Sequence, residues 1–181
     1  MRRVLFLIHD LGHGGAEKVL VNLLNHLDLK FFAVTVIALF GGGVNEKFLR
    51  PEIHYSFIYE KMIPANSKWM KLWSPKQLHK KFIKDEYDIE VAYLEGPCAR
   101  IVSGCQNSNT RLVSWIHVEQ HTKKNVALSF RSYQEAQKCY KKFDRVIYVS
   151  KYVMKDFQSI FDDEIHGKVL YNTVETDKIL A

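Results

Sequence analysis

Short apolar runs rich in β-branched and aromatic residues alternate along the chain with stretches whose apolar positions recur every three to four residues. The runs are Val4 to His9, Ala33 to Phe40, His54 to Tyr59, Ile89 to Leu94, Leu112 to His117, Arg145 to Val149 and Lys168 to Tyr171. Several are apolar without interruption, as strands covered on both faces are. Ala16 to Leu27 carries Val19, Leu20, Leu23, Leu24 and Leu27, the period of an amphipathic helix. Further helices are predicted over Pro75 to Lys84, Pro97 to Gln106, Leu128 to Phe143 and Lys151 to Phe161. Pro75 and Pro97 stand at first-turn positions, where a missing N–H costs nothing, and Ser74 can cap the first of these two helices. Strand and helix alternating in this way require right-handed crossovers. The expected fold is α/β and Rossmann-like, a mostly parallel sheet with helices on both faces.

Composition narrows the class. The 181 residues are 47% hydrophobic and 25% charged, which is the make-up of a folded domain. A core of this length buries roughly 70% of the surface of the unfolded chain, so stability needs no disulfide or structural metal. Cys98, Cys105 and Cys139 form an odd set with no CxxC spacing, pointing to a reducing, cytoplasmic setting. The apolar part of the first ten residues, Val4 to Ile8, is too short for a secretion signal. No stretch reaches the ~18 apolar residues that span a bilayer. The 26 Lys and Arg against 20 Asp and Glu leave a net charge of +6, so an anionic partner is expected.

Parallel α/β sheets bind ligands beyond the carboxyl ends of their strands. After the first run comes HDLGHGGAE, with Gly12, Gly14 and Gly15 leading into a helix. Glycines admit a ligand close to the backbone, and the helix start offers free N–H groups to a phosphate or diphosphate. The dinucleotide fingerprint needs glycine where Glu17 stands and an acid at the end of the second strand, where the chain has Gly41, Gly42 and Gly43. No Gly-Lys-Ser/Thr follows for a P-loop. The alternative is a strand-to-helix turn that simply requires glycine.

Gly14-Gly15-Ala16-Glu17 followed by Leu20 to Leu27 resembles the opening of glycosyltransferase family 4. So does the strand Val113 to His117 ending in histidine, and Asp144 to Lys151 resembles the family's D-x-V-x-x-x-S segment. Lys168 to Glu175 is similar to its K-V-x-x-N-x-V-D exit from the first domain, and Ala92 to Gly96 looks like members that build cell-surface polysaccharides. The resemblance runs through nearly the whole chain in the family's order. It implies the amino-terminal half of a GT-B fold: residues 1–175 as the acceptor-side domain and 176–181 as the start of a linker. The family's basic residue and paired glutamates, which grip a nucleotide-sugar donor, belong to a second, carboxyl-terminal domain that this sequence does not contain.

The resemblance also implies roles. His117 is the candidate catalytic residue, donating a hydrogen bond to a sugar hydroxyl or to developing phosphate charge, and is not assigned as the base. Gly14 and Gly15 are candidates for the donor diphosphate or the acceptor, and Glu95, Glu119 and Asn172 for substrate. Each has a plainer reading: His117 as a structural strand-end residue, Glu95 as a favourable charge at a helix start, Asn172 as a turn or hinge. Transfer with retention of anomeric configuration is implied. No metal or other cofactor is expected, since GT-B enzymes stabilise the departing diphosphate with amides and basic side chains, and the eight His form no recognisable ligand set.

Between Lys61 and Lys84 lie seven lysines, no acids, and Trp69, Trp73 and Phe82. A solvated basic face is the ordinary interpretation. Interleaved Trp and Lys also suit an anionic lipid surface, with Trp69, Lys71, Trp73, Lys80 and Lys81 as contacts. No RNA-binding motif accompanies them, and no nucleic-acid partner is expected. The expected function is sugar transfer from a nucleotide-sugar donor to a glycan or lipid-linked acceptor in surface-polysaccharide synthesis, in the cytoplasm and at the inner face of the membrane. The alternative is a non-catalytic Rossmann-like module that binds a membrane or partner.

Overall fold

The apolar runs become neighbouring strands of one sheet. The computed structural model describes residues 1–61 and 69–173. Its strands are β1 (Arg2–Ile8), β2 (Phe32–Phe40), β3 (His54–Tyr59), β4 (Ile89–Ala92), β5 (Arg111–Ile116), β6 (Arg145–Tyr148) and β7 (Lys168–Val169). They form a sheet in the order β3-β2-β1-β4-β5-β6-β7, and every neighbouring pair is parallel. The chain order reverses between β1 and β4, which is the crevice where such sheets hold ligands.

The alternation of side chains along each strand divides the core in two. On one face Val4, Phe6, Ile8, Val36, Val91, Tyr93 and Trp115 pack with Leu20, Val21 and Leu24 of α1 (Gly15–Asn25). On the other, Leu5, Leu7, Leu112, Ile116, Val146 and Tyr148 meet α2 (Pro75–Phe82), α3 (Pro97–Val102), α4 (Lys123–Val126), α5 (Tyr133–Tyr140) and α6 (Lys151–Ile160). Helices therefore cover both faces, as expected, but unevenly. The β1–β4 and β4–β5 registers put Leu5, Glu90 and Leu112 side by side, and Tyr93 continues the ladder by donating its N–H to the Leu7 carbonyl.

Helix starts follow local chemistry. Ser74 and Gln77 form a reciprocal capping box with Pro75 at the first position of α2. Ser150 accepts from Val153 N–H at the start of α6. Of the helix expected over Leu128 to Phe143 only Tyr133–Tyr140 is helical. Ser132 accepts from Glu135 N–H and starts α5, while Phe130 fills the core as part of the turn before it. The Ser132-x-x-Glu135 spacing carries that break. β7 is shorter than its apolar run, and Leu170 N–H makes a last bond to the Tyr148 carbonyl beyond it. Among the described residues, no helix is long and apolar enough to cross a membrane. The proposed domain end at Glu175, the linker 176–181 and Lys68 lie outside the described residues.

Candidate functional site

The carboxyl ends of β1, β2, β4 and β5 converge on one rim. After β1, Asp10 shapes the glycine loop: its Oδ1 accepts from Gly12 N–H at 2.7 Å and its Oδ2 lies 2.7 Å from His9 Nδ1. Gly43, the last of three glycines after β2, braces this loop. A Cβ at Gly43 would stand 2.3 Å from the Leu11 backbone, a clash that no side-chain movement relieves. Asn45 N–H donates to the Leu11 carbonyl and Asn45 Nδ2 to that of Gly12. The buttress is fixed in turn by Glu46, whose Oε1 accepts from Gly43 N–H and from the Tyr55 hydroxyl.

Gly14 is the N-cap residue of α1 and has no side chain with which to cap it. Glu17, three residues on, folds its carboxylate over the site a Gly14 side chain would take. Gly15 differs: a Cβ there would meet nothing within 4 Å. The protein itself does not require glycine at 15.

His117 and Glu95 are brought together because β4 and β5 are neighbours. Glu95 Oε2 accepts from His117 N–H at 3.1 Å. Burial raises the Glu95 carboxyl above its usual range, against backbone hydrogen bonds that favour the anion. Gly96, next in the chain, has φ +72°, which glycine adopts without strain, and it starts α3. The His117 ring lies 4.7 Å from the Tyr93 ring and 6.2 Å from that of Trp115, on the sheet face that α1 covers. Burial lowers its pKa to about 4, against a hydrogen bond with the Tyr93 backbone, so the imidazole is neutral at physiological pH. His117 Nε2, Tyr93 OH and Trp115 Nε1 are each buried without a hydrogen-bond partner among the described residues. Such groups are rare and expensive in folded proteins. Tyr93 and Trp115 escaped the sequence reading, although the two-residue spacing in AYLEG and VSWIH already puts Trp115 on the face of His117 and Tyr93 on that of Glu95.

Glu119 and Asn172 stand apart. Glu119 is exposed and lies 4.0 Å from His121 Nε2, while Asp156 of α6 holds this loop by accepting from Gln120 and His121 N–H. Asn172 is exposed, and its neighbour Thr173 accepts from Asn22 of α1 at 3.1 Å. Two surface hollows of about 400 and 470 Å³, lined by Asp144 and His166 and by Met1 and Phe31, open at the amino ends of the strands, away from this rim.

Trp69, Leu72 and Trp73 are exposed on a turn just before α2. The turn is held firmly. Arg100, fully buried, donates to the carbonyls of Met70 and Trp73 and pairs with Glu135, and Arg131 donates to the carbonyls of Lys71 and Leu72. Lys71 is half-buried. Lys80 and Lys81 are exposed, and the Lys81 ammonium sits 4.8 Å above the Trp73 ring.

A family model, Glycosyltransferase Family 4, matches residues 13–178. Among solved structures, Anabaena HepE in complex with UDP and glucose superposes with a TM-score of 0.58 at 16% identity, over 98% of this chain and 46% of its own. Apo UGT2 of Phytolacca americana gives a TM-score of 0.52 at 7% identity, over 98% and 54%. The likeness is one of fold, and the chain spans about half the length of each. No curated protein matches it.

Proposed function

The chain belongs to glycosyltransferase family 4, and from that premise we propose that residues 1–175 are the acceptor-side half of an enzyme moving a sugar from a nucleotide-sugar donor to a glycan or lipid-linked acceptor. The solved neighbour described with UDP and glucose supports a nucleotide-sugar donor. The observation that carries the site is the buried, unpartnered Nε2 of His117 just beyond the carboxyl end of β5. A neutral imidazole with one free ring nitrogen donates to, or accepts from, a sugar hydroxyl without adding charge. With its pKa near 4 it is a poor base at neutral pH. In a retaining transfer the departing diphosphate takes up the acceptor proton, and His117 orients the reacting groups.

The open space at Gly15 lets a diphosphate approach the first turn of α1, where free N–H groups point outward. Glu17 must swing away as it arrives, since both negative groups favour the same helix end. The donor is gripped from the opposite side by a second domain, joined through 176–181. The rim of Trp69, Leu72 and Trp73, with Lys80 and Lys81 nearby, seats the enzyme on an anionic cytoplasmic leaflet where a lipid-linked precursor of surface polysaccharide is presented. The test is transfer from a panel of nucleotide sugars by protein carrying the second domain, beside the present chain alone. Turnover by the former only is expected. No turnover from any donor leaves a non-catalytic binding module and overturns the reading.

A further inference from the structure

His79, Glu90 and Cys105 come from three separate elements, α2, β4 and the turn after α3, and meet toward the amino ends of the strands. Their ligand atoms all lie within 4.8 Å of one another. Glu90 is 2% exposed, and both its oxygens are in reach of His79 Nε2, at 2.9 and 3.1 Å. Among the described residues, no lysine or arginine pairs with this buried carboxylate. A buried anion demands a cation, and here only the imidazole or a metal ion can supply it.

The backbone is built to hold the three together. A Cβ at Gly104 would stand 2.0 Å from the Pro75 carbonyl oxygen and 2.9 Å from His79 Cβ, so only glycine lets the Cys105 turn come this close to α2. The capping box of Ser74 and Gln77 fixes the start of that helix. Imidazole, thiolate and carboxylate are zinc ligands, and the mixed set with sulfur disfavours magnesium and calcium. With Glu90 and the Cys105 thiolate each carrying one negative charge and His79 neutral, a divalent ion makes the buried site neutral.

We propose that His79, Glu90 and Cys105 form a zinc site with one open position, pinning α2 and the turn after α3 to β4. On binding, the Cys105 S–H bond breaks, its proton goes to solvent, and the sulfur and a His79 nitrogen each donate an electron pair to the ion. The site lies away from the glycine loop and His117, and its test reads no sugar transfer.

Chelator-treated protein titrated with Co²⁺ is expected to take up one equivalent and develop a near-ultraviolet sulfur-to-cobalt band. Zinc is expected to raise its Tm. Cys105→Ser should abolish the band and weaken zinc binding by at least about 100-fold, the upper end for loss of an outer-shell partner. Cys98→Ser, buried elsewhere, should change neither. If Cys105→Ser does not fold, His79→Gln carries the test through loss of the zinc-dependent Tm rise. No band and no Tm shift in the unaltered chain, or equal affinity in Cys105→Ser or His79→Gln, overturns the proposal.

Discussion

Glu95 Oε2 accepts from the backbone N–H of His117 at 3.1 Å, tying the turn after β4 to the end of β5. Glu95 therefore sets where the His117 ring begins, whatever it does toward substrate. Glu95→Ala leaves that N–H unpaired and is expected to lower stability by about 1–3 kcal/mol in chemical denaturation. Glu95→Gln keeps an acceptor oxygen and should recover most of the loss.

His117 predicts an acid sensitivity of definite sign. Its pKa is about 4 folded and 6.5 unfolded, so between these values the unfolded state binds more protons. Its contribution is fully present above pH 6.5 and is lost as pH falls toward 4. Between pH 7 and 4.5 the wild type should lose about 2 kcal/mol more than His117→Asn, measured by urea titration at both pH values. Glu95, with a raised pKa, acts in the opposite sense but is present in both proteins.

Two glycines separate scaffold from ligand contact. Gly43→Ala forces a Cβ against the Leu11 backbone and should destabilise the fold by about 1–3 kcal/mol, the range for overpacking. Gly15→Ala meets open space at a helix start and should leave Tm level or slightly raised. If a diphosphate seats there, Gly15→Ala lowers transfer while the fold is unharmed; unchanged kcat/KM would remove Gly15 from the site.

The tryptophan rim is tested by vesicle co-sedimentation. Replacing Trp69, Leu72 and Trp73 with Ser should cut binding to anionic vesicles, and replacing Lys80 and Lys81 with Gln should lose about 1 kcal/mol per lysine, or fivefold each. Equal sedimentation of all variants contradicts a membrane role.

The strand set was legible because parallel strands buried on both faces leave unbroken apolar runs; β2, Phe32–Phe40, starts one residue before its run from Ala33 to Phe40. The helix cap at Ser74 was readable from its place directly before Pro75. The break before α5 is hidden in the sequence because Phe130 stands three residues before Tyr133, a helical spacing that runs across Ser132. The strand-end positions of His117 and Glu95 were legible, and the structure brings the two together. The Gly43 brace, the orphaned Tyr93 and Trp115 atoms, and the Arg100 clamp on the tryptophan turn depend on packing between distant segments. No local spacing encodes them. Asp144, noticed for its motif, proves to be an amino-end clamp accepting from Leu112 N–H and Arg111.

The most direct measurement is steady-state sugar transfer by the two-domain protein with and without His117→Asn, alongside Tm. The proposed site predicts a fall in kcat of roughly 100-fold, the loss typical of one preorganised hydrogen-bonding group, with little change in Tm at pH 7.5. Transfer at the wild-type rate by the His117→Asn enzyme would contradict it.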